Sequence, residues 1–334
     1  MSSVASLASA PLFGLPLPEL WFALLFFIFG MFLFLDGFDF GIGILFATRD
    51  DPHEEAVLLS VIGPFWDGNE VWLVVFGGAL FAAFPAVYAN LFSRYYLLMF
   101  AILAALGLRG LAPEMYEERE DEQWRRYWGY AFVVGSATTP FLLGAFVLNW
   151  LVGAASIVTL TGALGGLAVV ALTVADGAAF LGLKTRGSLR DDASAFGVRA
   201  AVSYLVLVVA TLAAVYATAP DLRPALAHPV VVALVVFTVV LTAGYVVAVR
   251  GQRYYVAFAA VAGLVAGLVA LVAVAMFPYV DRATGITVSE GIVSTLPLNL
   301  MTIMAAVLLP VVLSYFAVLY SVFSGPLDEE EAYG

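Results

Sequence analysis

Nine apolar windows, each long enough to cross a hydrocarbon core of about 30 Å, follow one another along the 334 residues: 19–47, 56–84, 86–112, 127–151, 157–183, 195–218, 229–249, 254–277 and 299–323. What lies between them is too short for a separate soluble domain. Composition agrees, since a chain that is 63% hydrophobic and 12% charged has no polar coat to give a soluble fold. Windows of this length, dense in Gly and Ala, predict packed helices; barrel strands would alternate over about ten residues. The expected fold class is an all-α integral membrane protein with nine transmembrane helices.

Basic residues set the orientation. Arg49, then Arg109, Arg119, Arg125 and Arg126, then Lys184, Arg186, Arg190 and Arg199, then Arg250 and Arg253 flank one face, eleven of the fourteen Lys and Arg. The other face has Arg223 and Arg282, and Arg94 falls inside the third window. The positive-inside rule places the N-terminus outside and the C-terminus in the cytoplasm. Residues 1–18 lack the basic n-region of a secretory signal and read as an outer segment before a retained anchor; residues 324–334 read as an acidic cytoplasmic tail. Zero cysteines excludes disulfides, thiolate metal sites and iron–sulfur ligation in this chain. A net charge of −11, with acids grouped in "RDDPHEE", "EMYEEREDE" and "LDEEE", resembles the solvated surface of a protein from a halophilic prokaryote, an ordinary acidic protein being the alternative.

Against that background, charge inside the windows stands out: Asp36 and Asp39 in "FLDGFDFGIGILF", and Asp67 and Glu70 in "GPFWDGNEVWLVVFGG". At ~1.5 Å per residue, Asp39 and Asp36 lie roughly 12 and 16 Å from the cytoplasmic end of the first span, and Asp67 and Glu70 roughly 18 and 22 Å from the same side. Each pair is three residues apart and shares a helix face. An unpaired charge at that depth costs from a few to more than about ten kcal/mol, so such groups face protein or water and mark ion or proton routes. Helix–helix hydrogen bonding is the structural alternative. Arg109 is expected at the membrane boundary, either neutralising a buried carboxylate or snorkelling. Glu114 is expected just outside the third span, as a proton-collecting or merely solvated acid. "LDGFDFGIGILFATR" and "ADGAAFLGLKTR" echo one another at a spacing of 140 residues, sharing Asp-Gly at Asp36 and Asp176, which predicts two four-helix halves with a ninth helix outside the repeat; chance similarity among Gly/Ala-rich helices is the alternative.

The segments "DGFDFGIG", "GPFWDGNEVWLVVFGGALFAAFPAVYANLFS", "FPYVDRATGITV" and "NLMTIMAAVLLPVVLSYFAVLYSVF" resemble, in order from the first span to the last, the signature segments of subunit II of cytochrome bd-type quinol oxidases. The resemblance implies two four-helix bundles plus one peripheral helix: 19–151, then 152–277, then an outer loop and ninth helix over 278–323. It implies a complex that oxidises quinol and reduces dioxygen to water with cytoplasmic protons. The b-type haems, and haem d or a further b-type haem, would be held mainly by partner subunit I. Small accessory subunits, quinol and membrane lipid are the other expected partners; nucleic acid is not. By the same resemblance Asp67, Glu114, Asp36 and Asp39 form a proton route from the cytoplasm. Trp66, Arg109 and Glu70 are candidates for a quinone or partner contact. Arg94 in "FSRYY" departs from the small or neutral residue expected there and is assigned no catalytic role.

The residues themselves fit a supporting subunit. His53 and His228 fall in or beside loops on opposite faces, away from the mid-membrane position of an axial haem ligand, and Met31, Met99 and Met304 read as packing. No catalytic residue in the strict sense and no metal site are expected here. A secondary transporter also explains intramembrane acids and a repeat, and a purely structural membrane scaffold explains acids that bind a partner.

Overall fold

The computed structural model describes residues 7–8 and 10–326. Its long helices are α1 (Leu17–Phe46), α2 (Pro52–Ile62), α3 (Trp66–Ala83), α4 (Pro85–Arg94), α5 (Tyr96–Glu117), α6 (Glu122–Val152), α7 (Leu160–Lys184), α8 (Gly187–Thr218), α9 (Pro229–Arg250), α10 (Tyr254–Met276) and α11 (Thr295–Val322). A two-stranded antiparallel ribbon, β1 (Tyr279–Asp281) with β2 (Ile286–Thr287), sits between α10 and α11. Local chemistry marks the ends. Asp121 and Thr159 cap α6 and α7 by accepting from the Trp124 and Gly162 amides, and Gly153 ends α6 in the left-handed conformation that its missing side chain permits.

Eight of the described helices are long and apolar enough to cross a membrane: α1 and α5 to α11. The second expected span, 56–84, is two helices, because Pro64 has no N–H to continue α2 and the chain restarts at Trp66. The third, 86–112, is also cut. Tyr95 leaves helical geometry, and its buried ring sends a hydroxyl bond to the Ala154 carbonyl at 2.6 Å. Arg94 therefore ends α4 and lies outside the crossing helix, which runs on to Glu117. Most of the expected tail, 327–334, lies outside the described residues.

Packing centres on α1 and α7. They lie against each other, with α3, α5 and α6 gathered on one side and α8, α9 and α10 on the other. Close approach depends on Gly41 and Gly177: a Cβ on Gly41 would collide with the Thr173 carbonyl, and one on Gly177 would come within 2.6 Å of the Gly41 carbonyl carbon. The predicted 140-residue echo is visible in burial. From Trp21 to Ile42 the order of buried and part-exposed positions matches that from Thr161 to Gly182 at all but one place, Ala23 against Ala163. By contrast, α11 has only three buried residues, Leu298, Asn299 and Phe316, and packs on the bundle through one face that includes Phe316 and Tyr320.

Candidate functional site

Arg109 organises the site. It lies in the middle of α5, 1% exposed, where Gly135 of α6 leaves room for its backbone. Its guanidinium meets three carboxylates: Asp36 Oδ1 at 2.9 Å, Glu70 Oε2 at 3.2 Å and Asp39 Oδ2 at 3.4 Å. The rings of Phe40 and Trp66 flank it at 5.0 and 5.7 Å from the guanidinium carbon. Asp36 and Asp39, one helical turn apart on α1, share a face as their spacing predicts, and that face meets Arg109 of α5. Of the two expectations for Arg109, the structure shows the pairing with buried carboxylates. Three acids meet it inside the bundle, where it counters part of their charge instead of snorkelling.

Asn69 and Tyr320 extend the network. The Asn69 amide donates to Asp39 Oδ2 at 2.9 Å and to the Leu35 carbonyl at 3.0 Å, and accepts from the Tyr320 hydroxyl of α11 at 3.0 Å. Neither residue was a candidate from sequence. Asn69 stands beside Asp67 and Glu70 in "WDGNEVW", a polar residue in an apolar run, and was legible in principle. Tyr320 is 251 residues further on and carries no such signal.

The remaining candidates separate. Asp67, expected to be buried, is exposed on this chain in the first turn of α3, because the helix register turns Asn69 inward and Asp67 out. Glu70 is intermediate, its side chain 30% exposed, so it bridges Arg109 and that outer face. Glu114 is exposed within the last turns of α5, not beyond the helix, and takes no part in the Arg109 network. Asp176 is fully buried against Gly37, and neither carboxylate oxygen has a hydrogen-bond partner among the described residues. Arg94 pairs with Asp281 at 3.0 Å and shares no partner with Arg109.

The site sets a single cation against three carboxylates. The described residues hold no cluster of three or more His, Cys, Asp or Glu suited to a metal ion. Such an arrangement can bind and exchange protons, because full ionisation leaves two negative charges uncompensated where desolvation is costly.

A family model for cytochrome bd terminal oxidase subunit II matches residues 17–323. The cytochrome bd ubiquinol oxidase subunit 2 of Bacillus subtilis (strain 168) is 32% identical over 337 residues, spanning 94% of this chain and 98% of that protein. The cytochrome bd-I ubiquinol oxidase subunit 2 of Escherichia coli (strain K12) is 29% identical over 350 residues, spanning 90% and 92%. In fold, the chain matches one from the bd oxidase of Geobacillus thermodenitrificans with a TM-score of 0.75 over 92% of this chain and 99% of that one, at 18% sequence identity. With the family match running from the start of α1 to the end of α11, through every residue of the Arg109 network, this chain belongs to the cytochrome bd terminal oxidase subunit II family.

Proposed function

We propose that the chain is the supporting subunit of a quinol-oxidising, dioxygen-reducing complex of the cell membrane, docked on a haem-bearing subunit I and supplying part of a cytoplasmic proton-uptake route. The supporting observation is the Arg109 network with its graded exposure: Asp36 and Asp39 fully buried, Glu70 intermediate, Asp67 at the surface of this chain. A charged residue in the first turn of α3, beside a lipid-facing bundle, needs a protein or water surface opposite it, and subunit I is the fitting occupant. On this reading α2 and α3 together make the ninth crossing, the N-terminus is outside, and Glu114 collects protons at the cytoplasmic surface. Residues 19–151 and 152–277 are the two bundles.

The family implies haem, and the residues present do not fit an axial site. His53 lies in the first turn of α2, and His228 caps α9, where its ring accepts from the Val230 amide at 3.3 Å; both are exposed at helix starts. The chemistry assigned to this chain is therefore proton handling and support of the partner. Trp66, against Arg109 and near Gly110, remains a candidate border for a quinone or for subunit I.

Asp67→Asn in the assembled oxidase tests the reading. Asn keeps size and most hydrogen bonding but holds no exchangeable acid proton, so oxygen consumption should slow while haem content stays full, and Asp67→Glu should retain more activity. A fully assembled Asn variant turning over at the wild-type rate with saturating quinol would favour the scaffold alternative.

A further inference from the structure

Asp36, Asp39 and Arg109 are buried, so any proton reaching them from the cytoplasm has to pass along the helices that cover them. Glu114 is exposed and outside their network, so a proton collected there still needs a way in. A polar cleft does open at the same end of the bundle, between the end of α1, the start of α2, the end of α5 and the first three turns of α6. At its wall the Tyr116 hydroxyl donates to Glu55 Oε2 at 2.5 Å, with Arg125 over the Tyr116 ring at 5.6 Å. On α6 the cleft reaches Val133.

One turn beyond Val133 is Ser136. It is fully buried, and its hydroxyl has no hydrogen-bond partner among the described residues. That hydroxyl rests on Gly43 of α1, where a Cβ would collide with it. Gly43 is one turn from Asp39 on the same helix face, and Gly135, next to Ser136, touches the backbone of Arg109. Ser136 thus stands between the cleft and the acid network.

Two prolines add acceptors there. Pro113 in α5 has no N–H to give the carbonyl four residues back, that of Arg109; Pro140 in α6 likewise has none for the carbonyl of Ser136. Proline-freed carbonyls inside membrane helices are satisfied by side chains or ordered water, and a buried hydroxyl likewise needs a partner.

We propose that protons enter this chain at Glu55 and Tyr116 and reach Asp39 over waters held by Ser136 and by the carbonyls that Pro113 and Pro140 leave free. This deepens the proton-uptake reading above and rests on it. Ser136 accepts one hydrogen bond and donates another. Each proton passed inward is replaced from the cytoplasmic side, so the hydroxyl does not ionise.

The test uses the assembled oxidase, with turnover measured in water and in deuterium oxide for Ser136→Ala, Tyr116→Phe and Asp39→Asn at matched haem content. Ser136→Ala removes only the hydroxyl and clashes with nothing. It should turn over about tenfold more slowly, with a larger solvent isotope effect because proton delivery has become limiting, and Tyr116→Phe should move both readouts the same way. Wild-type turnover in both variants, or slowing with an unchanged isotope effect, while Asp39→Asn is slow, overturns this path and leaves uptake through the acid network standing. Wild-type turnover in Asp39→Asn overturns the underlying reading and this path with it. If Ser136→Ala assembles without haem, Tyr116→Phe decides alone by the same two readouts.

Discussion

Arg94 and Arg109 both meet carboxylates, and the two sites are built to opposite rules. At the ribbon between α10 and α11, Arg94 forks onto Asp281 at 3.0 and 3.2 Å; Thr284, the Ala283 amide and Asn90 complete the carboxylate at 2.8, 3.3 and 3.4 Å. One positive charge meets one negative charge, and both Asp281 oxygens are satisfied. In the bundle, one Arg109 serves Asp36, Asp39 and Glu70, and both Asp36 oxygens lack an aligned hydrogen bond despite the 2.9 Å ion contact. A balanced, saturated pair fixes geometry and has no use for another proton. An unbalanced one, short of donors, is where protons can be held and passed on.

The largest effect should follow from Arg109→Gln, which leaves three carboxylates without their cation. Breaking a buried pair from one side costs about 3–5 kcal/mol, so we expect loss of assembled complex, read as haem per protein after purification. Arg109→Lys, which keeps charge but not the planar fork, should recover assembly in part. Equal behaviour of Gln and wild type would erase the distinction between the two sites.

Arg94→Gln should cost less, about 1–3 kcal/mol, because three other donors still serve Asp281. The expected sign is faster hydrogen exchange over 278–294, with turnover near wild type. A comparable loss of turnover would place the ribbon in the working machinery.

Acidification should act on the same clasp. Burial alone would raise the Asp281 carboxyl, but hydrogen bonds from Arg94 and Thr284, the Arg94 charge and Asn90 together hold it below its ordinary value. A depressed folded pKa contributes stability that is complete above the unfolded value of about 3.9 and is lost as pH falls through the folded one. Protection of the ribbon should therefore persist at mildly acidic pH and fail only below about pH 4. In Asp281→Asn that acid-dependent step should vanish.

The smallest effect is expected for Tyr320→Phe, which removes one hydrogen bond to Asn69, about 1 kcal/mol. It tests whether α11, which also bonds Trp21 through Thr302, is tied to the acid network. A small loss of thermal stability is the expected result, and none at all would detach α11 from it.

Apolar windows alone fixed the helical class, eight of the crossings and the existence of acids inside them, because a hydrocarbon core admits few backbones and makes any intramembrane charge conspicuous. The repeat was also legible, since α1 and α7 need the same faces to meet. Spacing placed Asp36 and Asp39 on one face. It could not say that Arg109, some seventy residues away on another helix, is their partner, nor that Asn69 would turn inward and Asp67 outward, because depth along a helix follows from residue count but azimuth depends on what packs against it. The break at Tyr95 has no proline behind it. It is set by the hydroxyl bond to Ala154 and by Arg94 reaching Asp281, contacts spanning 59 and 187 residues. Hydropathy is local and was readable; the choice of partner for each charge belongs to the packed bundle, where burial makes an unpaired group costly enough to decide the matter.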